Sequence, residues 1–228
     1  MDAAAKVVKK FASKETYAEW HKPLSTALSR LRAGRIPNTY AACFCEKSDL
    51  LSQWRGYGGA EQGVAIAFNR SKPGDALKGI KATLFPVIYG QIKARSEITQ
   101  ALSEKLAEFE TATNGDGVSE DEKRKNAHSM LSGLLPQFKH SGFKEEQEWR
   151  IVVQQSTVRP IVSFRAKAHV LLPYLKLKLA NVGKLPIKYI RVGPGREQEL
   201  TKRSIELYLA SRSYEDVEVH LSNVPYRF

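Results

Sequence analysis

The sequence predicts an α+β fold with a mixed, mainly antiparallel β core, flanking helices and a helical hairpin inserted at residues 92–138. Two observations predict this fold, and the chain length adds the number of domains. Short runs rich in β-branched and aromatic residues recur along the chain between turn residues. Apolar residues at helical spacing dominate the N-terminal segment and the proposed hairpin. The 228 residues are enough to bury a sizeable core, so we expect a single domain over residues 1–228.

The N-terminal segment, residues 1–36, is predicted to be helical in two parts. Apolar residues follow helical spacing over residues 3–12 and again over residues 20–31. Gly34 and Pro37 end the second part, because glycine favours helix ends and proline cannot continue a helix.

The next unit is predicted to be a strand, a short helix and a second strand. The run TYAACFCE, residues 39–46, is typical of a buried strand. A helix capped by Ser48 or Asp49 follows and extends to Tyr57. GVAIAF at residues 63–68 then forms the second strand.

The middle of the chain is predicted to contain one strand and two helices. After a turn at residues 72–75, residues 80–89 form the strand. Residues 92–111 and 119–138 carry helical spacing, and the loop at residues 114–117 separates them. The many charges of these helices are typical of a solvated pair, although the pair is also the best place in the chain for a mobile lid or a partner surface.

The rest of the chain is predicted to alternate short strands with one helix, at residues 200–209. The strands have the sequences EWRIVVQQ, AHVLLPYLKL, IKYIRV and VEVHL, with a further run near residues 161–165.

The net charge is the strongest feature of the composition. The chain has 36 Lys and Arg against 24 Asp and Glu, a formal charge of +12. Such a surface raises the local concentration of nucleic acid or nucleotides, but net charge governs encounter rather than specific recognition. The charge therefore leaves two interpretations equally open: the protein binds a polyanionic partner, or its surface is basic without such a partner.

Several classes of protein are disfavoured. No apolar run approaches the roughly 18 residues that cross a bilayer, and the N-terminus lacks the apolar core of a secretion signal, so we expect a cytoplasmic protein without a membrane partner. Cys43 and Cys45 lack nearby histidines and fall short of a four-ligand zinc site. The histidines show no metal-ligand spacing and no serine lies in a GxSxG elbow, so no metal is predicted and a hydrolase is disfavoured.

The segment FKEEQEWRIVV contains the first candidate site. Glu146, Glu148 and Arg150 recur at every second position and would share one face of a strand. This is the pattern of a half-buried or edge strand whose charges face solvent. It is also the pattern of two carboxylates and an arginine that line a cleft for a sugar or phosphate ligand, with one carboxylate stabilising positive charge as a bond breaks.

The segment LLSQWRGYGG contains the second candidate site. Trp54, Arg55 and Tyr57 lie beside a glycine pair that would let a ligand approach the backbone closely. Aromatic faces with an arginine suit a flat base or a nicotinamide ring, by stacking and cation–π contact. An aromatic cluster beside a strand is, however, more often part of the hydrophobic core.

The segment IRVGPGREQEL contains the third. A strand runs through a Gly-Pro-Gly turn into a helix whose N-terminus suits an anion, although a tight turn explains the same residues. If the basic charge serves nucleic acid, the candidate phosphate contacts are Arg55, Arg150, Arg196, Lys202 and Arg203.

Four blocks of the sequence together resemble the bacterial family called domain of unknown function 2971, or DUF2971. They are YAACFCEKSDLLSQWRGYGGAEQGVAIAF, FKEEQEWRIVV, IRVGPG and the closing SNVPYRF. The blocks occur in the family's order, from residue 40 to the C-terminus. Family members usually carry serine in place of Cys45, and they usually begin with a further block bearing His-Tyr and Asn-Asp pairs, which these residues lack.

The resemblance implies a layout similar to the ADP-ribosyltransferase fold, a split β core that grips NAD. It implies that Glu148 or Glu146 binds the nicotinamide-side ribose and stabilises an oxocarbenium-like state, and that Tyr40, Trp54 or Tyr57 stacks on nicotinamide. The implied function is an effector in bacterial conflict or phage defence that uses NAD as substrate. The alternatives are a non-catalytic, basic nucleic-acid-binding module and a partner-binding protein that uses the helical hairpin.

Overall fold

The computed structural model describes residues 2–58, 62–69, 82–112, 118–155, 162–177 and 183–225. The chain divides into two compact units. The first unit comprises residues 1–44 and 82–176, and the second comprises residues 45–81 and 177–228. The expectation of one domain over the whole chain stays a prediction.

The described residues form helices and short strands. In chain order the helices are α1 (Asp2–Ala12), α2 (His21–Arg32), α3 (Leu51–Tyr57), α4 (Gln91–Ala112), α5 (Glu120–Leu134) and α6 (Gln198–Ser211). The strands are β1 (Asn38–Cys45), β2 (Val64–Phe68), β3 (Ala82–Pro86), β4 (Ile88–Tyr89), β5 (Phe138–Lys139), β6 (Glu148–Gln155), β7 (Ser163–Lys167), β8 (Val170–Tyr174), β9 (Ile187–Val192) and β10 (Glu218–Leu221). Helices thus combine with several small, mostly antiparallel sheets, and the predicted α+β class is confirmed.

The core of the first unit is a cluster of four helices. Helix α1 packs against α4, and α2 packs against α5. Ile98, Leu102 and Leu106 form one apolar stripe on α4 and are buried with Ala127 and Leu131 of α5. Most charged residues of these two helices are exposed, as predicted for a solvated pair, but the pair is not solvated all round, because this apolar stripe is buried.

A three-stranded sheet in the first unit has the order β1-β6-β3, with β3 antiparallel to β6. In the central strand β6, Ile151, Val152 and Val153 are all buried, so both faces are covered and neither the edge-strand nor the half-buried interpretation holds. The prediction of a buried first strand is also wrong. Strand β1 lies at the edge of the sheet, and Ala41 and Ala42 are exposed.

The strand predicted at residues 80–89 is two strands in different sheets. Strand β3 ends at Pro86, which has no N–H to donate, and β4 pairs in parallel with β5. Between them Val87 is buried, and its N–H donates to the carbonyl of Glu148 at 2.8 Å.

Strands β7 and β8 form an antiparallel hairpin. Ser163 lies opposite Tyr174 and Lys167 opposite Val170, so residues 168–169 alone make the turn. Among the described residues the hairpin pairs with no further strand.

The second unit is built on β9, with β2 antiparallel on one side and β10 parallel on the other. Helix α6 covers this sheet, and Ile190, Val192, Leu209 and Val219 form its core. The predicted cap of α3 is wrong. Leu50 precedes the helix without a side-chain cap, because the Asp49 carboxylate bonds elsewhere, as described below.

Some predictions fall outside the described residues. They are the turn at residues 72–75, the loop at residues 114–117, the second glycine of the pair after Tyr57 and the closing residues 226–228. Within the described ranges, no helix combines the length and the apolar character needed to span a bilayer. The cytoplasmic location stays a prediction.

Candidate functional site

Four charged side chains meet in the first unit, and we call them the carboxylate cluster: Lys139, Glu146, Glu148 and Arg150. The Lys139 ammonium donates to Glu146 Oε2 at 2.6 Å and to Glu148 Oε2 at 2.9 Å. Arg150 donates through Nε to Glu148 Oε1 at 2.8 Å and through Nη2 to Glu148 Oε2 at 3.2 Å. Two anions and two cations thus neutralise one another.

The backbone that places the two glutamates changes conformation between them. Glu146 ends a 3₁₀ turn, Ser141–Glu146, and Glu148 begins β6. Gln147 between them is left-handed, with φ 44°. The predicted shared face is therefore right for Glu148 and Arg150 and wrong for Glu146, which joins the cluster only because Lys139 on β5 reaches both carboxylates.

The Glu148 carboxylate is ionised although its side chain is only 3% exposed. Burial alone would raise its pKa, but hydrogen bonds from Arg150, Cys43 and Lys139 outweigh burial and lower the pKa to about 2. Both oxygens of Glu148 therefore already accept hydrogen bonds from the protein.

Cys43 and Tyr89 complete the surroundings of Glu148. Residue Cys43 is exposed as a whole, but desolvation of its thiol and the hydrogen bond to Glu148 raise its pKa to about 11, so the thiol stays protonated. The Tyr89 hydroxyl oxygen accepts the Glu148 N–H at 2.9 Å, and burial raises the pKa of this tyrosine. The sequence reasoning missed these two residues and Lys139, because no local pattern links residues so far apart along the chain.

The other residues predicted to bind a ligand are Tyr40 in the first unit and three residues of the second unit. None of them belongs to the carboxylate cluster of the first unit. Tyr40 lies on β1 three residues before Cys43, so the two side chains leave opposite faces of that strand. Trp54, Arg55 and Tyr57 lie on α3 in the second unit. Their ligand-binding roles stay predictions.

The two aromatic residues of α3 differ in exposure. Trp54 is buried inside the second unit, whereas Tyr57 is 75% exposed. The Trp54 indole N–H donates to Asp49 Oδ1 at 2.8 Å. Asp49 also accepts from the Ser222 hydroxyl at 2.5 Å. Burial raises the pKa of Asp49, but hydrogen bonds from Ser222 and Trp54 and the charge of Arg191 lower it overall. This contact ties α3 to the residue that follows β10.

The glycines of two motifs are required for close packing in the second unit. A Cβ on Gly193 would lie 2.9 Å from the Trp54 ring and 2.9 Å from the Gly63 carbonyl oxygen. A Cβ on Gly58 would lie 2.6 Å from the Trp54 carbonyl oxygen. The structure thus accounts for both glycines without a ligand.

The candidate phosphate contacts differ in availability. The exposed candidates are Arg55, Arg196 and Arg203. Lys202 forms an ion pair with Glu206, with 3.9 Å between Nζ and Oε1. Arg150 is engaged by Glu148 and donates to the Pro136 carbonyl at 2.6 Å. Exposed arginines are therefore better placed for phosphate than Arg150.

Comparison with known proteins identifies a family but no activity. Residues 53–151 match the DUF2971 family, which is described as a protein of unknown function. The predicted resemblance to DUF2971 is confirmed over these residues, which include Trp54, Tyr57 and the whole carboxylate cluster. The blocks IRVGPG and SNVPYRF lie outside the match. No curated protein and no solved structure matches the chain.

In the described part of the chain, no three His, Cys, Asp or Glu side chains are grouped so that they would hold a metal ion.

Proposed function

We propose that this protein is a non-catalytic nucleic-acid-binding module. The observation that carries the proposal is an acid-free segment, residues 149–196, which contains no Asp or Glu. Its ten basic residues are Arg150, Arg159, Arg165, Lys167, Lys176, Lys178, Lys184, Lys188, Arg191 and Arg196. The rest of the chain has 26 basic and 24 acidic residues, so nearly all of the net charge belongs to this segment.

Several of these cations are available to an external anion. Arg165 and Lys167 in the first unit and Lys188 and Arg196 in the second are exposed. In the part of the chain that the structure describes, none of the four forms an ion pair with a carboxylate. Unpaired cations concentrated in one segment favour a polyanionic partner, since nucleic-acid affinity depends chiefly on phosphate neutralisation.

Oligonucleotide binding at low and physiological salt tests the proposal. We compare the wild type with R165Q/K167Q/K188Q/R196Q, and with K9Q/K10Q/K93Q/K125Q as a control that removes the same charge from exposed lysines elsewhere. The first variant should bind at least about tenfold more weakly and show a shallower salt dependence, whereas the control changes both much less. Equal losses in the two variants, or no salt-dependent binding by the wild type, contradict the proposal.

A second candidate is glycosyl transfer from NAD in bacterial conflict or phage defence. The observation that favours it is the pair of carboxylates, Glu146 and Glu148, held by one lysine, with Glu148 ionised as an oxocarbenium-stabilising group must be. It ranks second because the oxygens of Glu148 already accept from Arg150, Cys43 and Lys139. A ribose hydroxyl would have to displace one of these donors.

Release of nicotinamide from NAD distinguishes the second candidate. If it is correct, the wild type and the exposed neighbouring variant Glu145→Gln release nicotinamide, and Glu148→Gln and Glu146→Gln do not. Absence of release by the wild type, with and without a bacterial lysate as a source of acceptor, rejects this candidate and leaves the binding module unaffected.

A further inference from the structure

The β7–β8 hairpin has one wholly apolar face that is open to solvent. The register places Phe164 opposite Pro173 and Ala166 opposite Leu171, so these four side chains share a face. All four are exposed, Phe164 by 58% and Leu171 by 65%. A two-stranded hairpin is marginally stable in water, and a contiguous apolar surface commonly marks a site of interaction.

The opposite face of the hairpin carries its charge. Arg165 and Lys167 share this face with Val170, Leu172 and Tyr174. The Arg165 guanidinium lies 5.9 Å from the centre of the Tyr174 ring. The hairpin belongs to the acid-free segment, so no carboxylate of its own strands neutralises these cations. An anionic partner complements this face.

The distribution of charge argues against a membrane as that partner. The tip of the hairpin is polar, with Lys167 and His169 at the turn, so insertion tip-first would desolvate a charge. If the hairpin lay on its apolar face, Arg165 and Lys167 would point away from the anionic headgroups. The arrangement therefore favours a partner that meets both faces.

Single-stranded nucleic acid is such a partner. Phe164, Ala166, Leu171 and Pro173 have no side-chain donor or acceptor that would read base edges in a duplex groove. Unpaired bases, in contrast, offer flat faces that stack on an exposed aromatic ring. A hairpin is one strand layer thick, and no described strand pairs with its edges. A nucleic-acid strand along one edge would therefore reach the ring on one face and the cations on the other.

We propose that the β7–β8 hairpin binds unpaired nucleotides, with Phe164 stacking on a base and Arg165 and Lys167 contacting the adjacent phosphates. This inference rests on the proposed nucleic-acid-binding function and specifies its ligand and its contact element.

The test measures binding of labelled DNA and RNA oligonucleotides of about 15 nucleotides, as single strands and as duplexes. Phe164→Ala removes the ring, R165Q/K167Q removes the cations, and Tyr208→Ala removes an equally exposed aromatic ring on α6 as the control. Phe164→Trp keeps an aromatic face. Circular dichroism checks that each variant retains the wild-type fold.

We expect single strands to bind more tightly than duplexes. Phe164→Ala should weaken single-strand binding at least about fivefold without changing the salt slope, because no charge is lost. R165Q/K167Q should reduce that slope by about 1.4, since each phosphate contact contributes about 0.7 for single strands. Phe164→Trp and Tyr208→Ala should bind as the wild type does. Preference for RNA or for DNA identifies the source of the single strand.

Three results overturn the inference. Salt-dependent binding that is equal for duplexes and indifferent to Phe164→Ala rejects the hairpin site but leaves the proposed function standing. No oligonucleotide binding at any salt rejects both. Binding of vesicles of phosphatidylcholine and phosphatidylserine, lost in Phe164→Ala while oligonucleotides do not bind, assigns the hairpin to a membrane instead.

Discussion

Glu148 combines burial with a full negative charge, and this combination explains its neighbours. An unpaired carboxylate in this position would be strongly destabilising, so Arg150, Lys139 and the Cys43 thiol all donate to it. The same donors occupy the oxygens that a substrate hydroxyl would need. At the scale of the residue, Glu148 thus stabilises the junction of β6 with β5 and the preceding 3₁₀ turn.

The depressed pKa of Glu148 predicts a specific loss of stability in acid. The pKa is about 2 in the folded protein and about 4.3 in an unfolded chain. The stabilisation by Glu148 is therefore complete at pH values above its pKa in the unfolded chain. As the pH falls from about 4 to about 2, the protein loses stabilisation on the order of 3 kcal/mol. Urea unfolding at several pH values measures it.

Glu148→Gln serves as the reference for this acid loss. The variant should be less stable than the wild type at pH 7 by about 3 kcal/mol, because the half-buried cations Lys139 and Arg150 lose their partner. Its stability should then fall less between pH 4 and pH 2. Parallel pH curves for the two proteins would show that Glu148 is not the titrating group.

Gln147 carries backbone strain that substitution reveals. Its φ of 44° is a region that glycine adopts freely and that a β-branched side chain avoids. We expect Gln147→Gly to leave the melting temperature unchanged or raise it, and Gln147→Val to reduce the free energy of unfolding by about 1–2 kcal/mol. Equal stability of the glycine and valine variants in thermal melts would be inconsistent with this backbone conformation.

Between elements, α3 and β9 are held together by close packing at Gly193. A methyl group there would press on the Trp54 ring, whereas a Cβ on Gly133 in α5 would meet nothing within 4 Å. We therefore expect Gly193→Ala to cost about 1–3 kcal/mol as an overpacked site. The matched Gly133→Ala should instead gain about 0.5–1 kcal/mol, because alanine favours a helix. Chemical unfolding of both variants checks this contrast, and a neutral Gly193→Ala would refute it.

The sequence predicts elements well where one pattern dominates. The strand predicted from IKYIRV coincides with β9, and the helix predicted at residues 92–111 differs from α4 by one residue at each end. Prediction fails where tertiary contacts decide. The predicted strand divides at Pro86 into β3 and β4. The apolar stripe of α4 and α5 is buried because α1 and α2 cover it, which charge counting along the helix does not show.

The candidate sites divide in the same way. The pairing of Glu148 with Arg150 follows from alternation along one strand, so the sequence predicts it. Lys139, Cys43 and Tyr89 come from three other elements, and only the fold brings them to Glu148. The sequence around Trp54 likewise does not distinguish a tryptophan that stacks on a ligand from one that packs against Gly193, as the buried ring does in the structure.

At the scale of the whole molecule, the position of charge matters more than its sum. A net charge of +12 says little about partners, but its concentration in residues 149–196 leaves the rest of the chain nearly neutral. The segment includes one exposed hairpin with Arg165 and Lys167 on one face and the exposed Phe164 ring on the other. This combination is the basis of the proposed nucleic-acid-binding function.

Photo-crosslinking of a single-stranded oligonucleotide to the protein, followed by mass spectrometry of the linked peptides, tests that claim most directly. The account predicts crosslinks within residues 163–174, with Phe164 among the linked residues and with loss of the signal at high salt. Crosslinks confined to α1, α2 or α6 would contradict the hairpin site, and the absence of any crosslink at low salt would contradict the nucleic-acid-binding function itself.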